Sequence, residues 1–148
     1  MTDLRTGLVV ERLLPAPPDA VFEAWTDPAI LREWMAPQGD VEASADVRVG
    51  GSFRILMLGA GEGDDGPIEH TGEYLVVDRP NRLSFTWISP YTGDGPSVVT
   101  VTFEPRVDGT WVRLEHEQLP EDHVAGHEDG WGRILERLAG RLAGRLAR

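Results

Sequence analysis

Between residues 41 and 119 the chain reads as six strand-length pieces separated by turn formers, and one long amphipathic helix follows them. The pieces span 41–49, 52–58, 68–78, 82–88, 97–105 and 110–119. Gly50-Gly51, the glycine-rich stretch 59–67, Arg79-Pro80-Asn81, residues 90–96 and Val107-Asp108-Gly109 break them apart. Alternation is clean in three places. Phe53, Ile55 and Met57 share one face, as do Val99, Val101 and Phe103, and Val112, Leu114 and His116. From Glu73 to Val77 the period blurs, and a bulge near Gly72 would account for it. Spacing this even predicts an antiparallel meander.

The closing helix starts at about His123 and carries Trp131, Ile134, Leu135, Leu138, Leu142 and Leu146 as a stripe fit to lie across a sheet. Gly140 and Gly144 each cost about 1 kcal/mol in a helix interior, so its last turns are expected to fray. A further strand at 6–14 ends at Ala16-Pro17-Pro18. Two short helices joined at Asp27-Pro28 follow it. Asp27 can cap the second by accepting from its free amides, and Pro28 suits a first helical position that needs no N–H. Val21, Phe22 and Trp25 fall on one face of the first helix, and Ile30, Leu31 and Trp34 on one face of the second. One strand, two helices, six strands and a long helix form an α+β domain over residues 1–148. In it, a curved seven-stranded antiparallel sheet wraps around the last helix.

Composition removes several classes of function. A net charge of −11 disfavours nucleic acid, whose phosphates need a basic surface. All 14 positive residues are Arg, so no lysine can form a Schiff base, and the absence of cysteine excludes thiol chemistry. No run approaches the roughly 18 apolar residues of a membrane span. Met1-Thr2-Asp3-Leu4-Arg5 lacks the pattern of a secretory signal, and a cytoplasmic location is expected. Arg133, Arg137, Arg141, Arg145 and Arg148 against Glu136 give residues 133–148 a net +4, leaving −15 on the remainder. This basic stretch reads first as a solvated helix face, and second as a contact for an acidic surface such as a second subunit, so a homodimer is compatible with it.

The chemistry-bearing patterns are sparse. Gly61-Glu62-Gly63-Asp64-Asp65-Gly66 matches the dinucleotide glycine pattern, but Pro67 and a strand follow it where a helix is required, and its acids would repel phosphate. His123 and His127 are one helical turn apart beside Glu121, Asp122 and Asp129, yet spacing supplies no third metal ligand, and no metal or cofactor is expected. His116 continues the face of Val112 and Leu114. If that face is inward, a titratable group sits among apolar side chains as a structural, ligand-orienting or general-base residue. His70, Arg54 and Glu73 are further polar candidates on strands, and Trp111 falls out of phase and should face outward. No catalytic triad, paired carboxylates or Cys-His arrangement follows from spacing.

The segment from Pro17 through Phe22 and Trp25 to Asp27-Pro28, followed by Trp34-Met35-Ala36-Pro37, resembles the entry motif of the Hsp90-ATPase-activator-homologue-like proteins, within the START/Bet v 1-like (SRPBCC) superfamily. Val47–Phe53, Gly72-Glu73-Tyr74, Arg82–Trp87, residues 99–103, Gly109-Thr110 and His127–Trp131 match in order, so the resemblance covers nearly the whole chain. It implies a helix-grip fold with an apolar cavity between sheet and C-terminal helix. In that architecture the candidate cavity walls are Trp34, Phe53, Ile55, Met57, His70, Tyr74, Phe85, Trp87, Val101, Phe103, Leu114, His116, Trp131 and Leu135. The expected partner is a small hydrophobic or amphipathic molecule. The resemblance also implies two alternatives: a chaperone-interacting module, or a cyclase- or dehydratase-like enzyme using His116, His70 or Glu73.

Overall fold

The computed structural model describes residues 5–37, 39–58, 67–93 and 95–146, with residues 5, 145 and 146 described by backbone alone. The glycine pattern at 61–66 and the side chains of Arg145, Leu146 and Arg148 lie outside that description. Seven strands, β1 (Arg5–Leu14), β2 (Val41–Ala45), β3 (Ser52–Met57), β4 (Ile68–Asp78), β5 (Arg82–Trp87), β6 (Ser97–Arg106) and β7 (Gly109–Pro120), form one antiparallel sheet. Their spatial order is β1-β7-β6-β5-β4-β3-β2, so each strand from β2 to β6 pairs with its successor and β1 closes onto β7. Helices α1 (Pro18–Thr26) and α2 (Pro28–Leu31) carry the chain from one sheet edge to the other. A 3₁₀ turn at Glu121–His123 leads into α3 (Val124–Leu146), which buries Trp131, Ile134, Leu135, Leu138 and Leu142. The fold is the helix-grip arrangement.

Local chemistry explains most boundaries. Asp27 accepts from the Ala29 amide at 2.9 Å, with Pro28 at the first position of α2. α2 ends at Leu31, so Trp34 stands in the turn beyond it rather than on the helix. β2 stops at Ala45, four residues short of the expected end. There Asp46 pairs with Arg48, the Gly51 amide bonds the Arg48 carbonyl, and Gly50 turns at φ 85°. The bulge in β4 falls between Tyr74 and Val76, not near Gly72. It leaves Leu75 exposed while Tyr74 turns inward. Gly72 answers a different need: a Cβ there would run into the Thr86 carbonyl and the Phe53 ring. α3 continues through Gly140 and Gly144 to Leu146.

The core joins sheet, short helices and α3 through rings. Trp25 packs edge-on against Trp34 with centroids 4.8 Å apart and stacks on Trp131 at 6.2 Å. Phe22 meets Phe103 at 5.4 Å. The Trp34 indole donates to the Ala24 carbonyl at 3.2 Å, and the Thr110 hydroxyl donates to the Ala16 carbonyl at 2.7 Å, so both buried polar groups are satisfied.

The basic helix face is less solvated than its composition implies. Arg137 donates to the carbonyls of Ala36 (3.1 Å) and Gly39 (3.0 Å), Arg141 pairs with Glu33, and Arg133 pairs with Asp129 at 3.0 Å. Two of these arginines therefore fasten α3 to the segment after α2. Trp111 does face outward, but its indole donates to Glu11 at 2.8 Å and the Arg106 guanidinium lies 5.7 Å from its ring, so it is half covered. No helix among the described residues is long and apolar enough to cross a membrane.

Candidate functional site

One end of the sheet–helix interface is not filled. A pocket of about 230 Å³ opens there, lined by Met57, Ile68, His70 and Trp87 from the sheet, Pro37 and Tyr91 from loops, and His123, Gly126, His127, Gly130, Trp131 and Ile134 from the 3₁₀ turn and α3. The helical contributors recur at intervals of three and four, which puts them on one helix face. Two are glycines with no conformational need to be so. A Cβ at Gly126 or Gly130 would meet nothing within 4 Å. Each forgoes about 1 kcal/mol of helix propensity, and the space left is pocket.

Of the expected cavity walls, Met57, His70, Trp87 and Trp131 line this pocket. Phe53, Ile55, Tyr74 and Phe85 instead pack with Trp25, Leu31 and Met35 around a crevice of about 10 Å³, no more than a single water needs. Trp34, Val101, Phe103, Leu114 and Leu135 are buried in the closed core. Arg54 and Glu73 are on the outer face, with Arg54 paired to Glu69. Alternation assigns a residue to the inner face of a strand but does not say whether helix or void covers it there. The pocket residues that sequence reasoning missed are Pro37, Ile68, Tyr91, Gly126, Gly130 and Ile134, together with His123 and His127, which it weighed only as metal ligands. The glycines four apart beside His123 and His127 were the available signal.

His116 is buried behind Trp131 and its hydrogen bonds define its state. The Trp131 indole, which can only donate, bonds His116 Nδ1 at 3.0 Å. That nitrogen must be bare, so the proton sits on Nε2 and is donated to Ser97 Oγ at 2.7 Å. Ser97 in turn donates to the Trp87 carbonyl at 2.6 Å. Every polar atom in this chain is used. Burial, and secondarily the nearby His127 and His70, pushes His116 down to about 3. His116 holds the Trp131 indole and, through Ser97, the backbone at Trp87. With both nitrogens committed it has no lone pair to offer as a general base, which corrects that expectation.

The histidines of the pocket itself are differently placed. His70 is 6% exposed and stacks on Trp87 with centroids 4.6 Å apart, and its Nδ1 has no hydrogen-bond partner. Burial and the charge of His127 push it down to about 4, an effect that the backbone at Ile68 and Ile55 offsets only in part. His127 Nδ1 lies 2.8 Å from the His123 carbonyl, which can only accept, so that nitrogen carries the proton. Burial lowers its pKa as well, leaving a neutral ring with a bare Nε2. Among the described residues no carboxylate or arginine lines the pocket, and no three His, Cys, Asp or Glu side chains are grouped to hold a metal.

Comparison with known proteins agrees with this architecture. Residues 15–143 match the family described as activator of Hsp90 ATPase homolog 1-like protein, and the chain belongs to that family. A crystal structure of a Chromobacterium violaceum protein, CV1439, superposes with a TM-score of 0.80 at 26% identity, covering 93% of this chain and 97% of that one. The AHSA1 protein from Silicibacter pomeroyi gives 0.76 at 29% identity over 94% and 99% of the two chains. The solution structure of an AHSA1-like protein from Aeromonas hydrophila gives 0.78 at 27% identity over 96% and 95%. No functionally curated protein matches the chain.

Proposed function

We propose that this member of the activator of Hsp90 ATPase homolog 1-like family binds a small hydrophobic or amphipathic molecule in the pocket between β3–β5 and the start of α3. One observation carries the reading: an open, largely apolar and aromatic pocket contains a nearly buried histidine whose Nδ1 has no partner. Leaving such an atom unsatisfied costs about 1–3 kcal/mol, which a ligand hydrogen bond can recover. Ligand sites combine apolar walls with a few placed polar groups in this way. Gly126 and Gly130 support the reading, since both weaken the helix where side chains would shrink the pocket. Binding is favoured over catalysis, because His116 is fully committed and, among the described residues, no carboxylate lines the pocket to pair with a histidine in acid–base work.

The test is native mass spectrometry and thermal shift against a panel of one- and two-ring compounds and short-chain lipids. At least one compound should bind one-to-one and raise the melting temperature. A panel without any binder removes the reading.

The family's description raises a second partner, an Hsp90-type chaperone. Exposed Leu13 is paired with Trp111 on the outer face of β1 and β7, and exposed Val9 lies four residues back along β1 opposite Glu115. Chaperone ATPase rates measured with wild-type protein and with Leu13→Asp decide that reading. No effect of the wild type on the rate excludes it.

A further inference from the structure

We infer that the pocket selects an uncharged, planar molecule of one or two rings bearing a hydroxyl, with that hydroxyl donating to His127 Nε2. The inference rests on the pocket being a ligand site and adds the chemistry of its occupant.

Size comes first. An apolar cavity of about 150 Å³ holds benzene, and drug-sized ligands occupy roughly 300–1,000 Å³. At about 230 Å³ this pocket takes one substituted ring or two fused ones, not a steroid or an acyl chain. Shape follows from the walls. Trp87 and Trp131 stand with centroids 5.1 Å apart at 48°, and His70 is tilted by 31° against Trp87. Planar rings have faces and edges to offer such walls. The Trp131–His116–Ser97 bonds hold the Trp131 indole, and through its carbonyl the backbone at Trp87, before any ligand arrives.

Charge comes next. Among the described residues a cationic ligand would meet no carboxylate, and an anionic one no arginine, because neither type is in the described lining. Burying an unpaired charge is far costlier than burying a hydroxyl. A carboxylate would also lack a donor for the bare His127 nitrogen.

The polar group is decided by tautomers. His127 gives its one proton to the His123 carbonyl, so it can only accept from a ligand. His70 has an Nδ1 without a hydrogen-bond partner, and the Ile68 and Ile55 backbone beside its ring bears on which nitrogen holds the proton. A hydroxyl both donates and accepts, so it satisfies the fixed acceptor at His127 and either tautomer of His70. An ether or ketone of the same shape can only accept and leaves His127 unpaired.

Three probes of nearly equal size separate the terms: naphthalene, 2-naphthol and 2-naphthoate. Dissociation constants come from tryptophan quenching at pH 7.5, and nitrogen chemical shifts from the wild-type histidine side chains. 2-Naphthol should bind about five- to tenfold more tightly than naphthalene, the worth of one neutral hydrogen bond, with 2-naphthoate weakest. It should also shift the bare His127 nitrogen, where naphthalene does not. His127→Phe should bring naphthol down to naphthalene's affinity. The nitrogen shift keeps the test decisive if that variant fails to fold. Equal binding of naphthol and naphthalene, or tightest binding of naphthoate, overturns the hydroxyl inference and leaves the ligand pocket standing. No binding by any of the three overturns both.

Discussion

Trp131 donates its indole N–H to His116 Nδ1 at 3.0 Å, and this single bond dictates the tautomer of a fully buried histidine. From it follow the direction of the Ser97 bonds, the neutrality of the ring and the fixed placement of the Trp131 indole. His116 acts on the pocket without touching it.

Replacing His116 with Leu keeps much of the volume but orphans the Trp131 indole and removes a donor to Ser97, which keeps its bond to the Trp87 carbonyl. One buried donor without a partner should cost about 1–3 kcal/mol. Urea unfolding followed by tryptophan fluorescence measures it. A loss below about 1 kcal/mol would show that the bond network does not hold the Trp131 indole.

Acid should destabilise the fold by way of histidines. His70 and His116 are held near 4 and 3 in the folded state, below their ordinary value of 6.5, and His127 is also lowered. Above pH 6.5 neither state takes the proton and stability is at its plateau. As pH falls, the unfolded chain binds protons that the folded chain refuses, at about 1.4 kcal/mol per pH unit for each such group. The contribution of His70 is lost between pH 6.5 and about 4, and that of His116 continues to fall to about 3. Thermal unfolding should be flat from pH 8 to 7 and steepen below 6.5. Stability unchanged down to pH 5 would falsify this account.

Gly126→Ala and Gly130→Ala should each stabilise the apo protein by about 0.5–1 kcal/mol, because both positions are helical and open. Gly130→Leu should keep the fold and block the pocket. Native mass spectrometry with any ligand found for the wild type checks the second half, and retained binding would place the ligand elsewhere.

Arg137→Ala removes two bonds to the carbonyls on either side of Pro37, a pocket wall. The expected cost is about 1 kcal/mol, with faster amide exchange confined to residues 35–40. Exchange that rises equally across the sheet would mean that the arginine supports the whole fold rather than this rim.

Much of the architecture was legible because strand alternation and turn chemistry are local. Phe53, Ile55 and Met57, or Val99, Val101 and Phe103, could share a buried face only in extended chain, and Asp27-Pro28 could start a helix only one way. Where local rules compete, the reading slipped: Val47 and Val49 look strand-like, yet the Asp46–Arg48 pair and Gly50 bend the chain first. The site was less legible. His116 and His70 both lie on inner faces, but one became a satisfied structural group and the other a pocket wall with an unpartnered nitrogen.

By itself the sequence determined the order of elements, the inward faces of the strands and the family, because each rests on neighbours a few residues apart. Only the tertiary structure decided which part of the inner face stays open. That depends on where α3 crosses the sheet, and on Gly126 and Gly130 meeting no opposing atoms there. It decided too that Trp131 reaches His116, 15 residues away, and so which histidine is spent on the scaffold and which remain to meet a ligand.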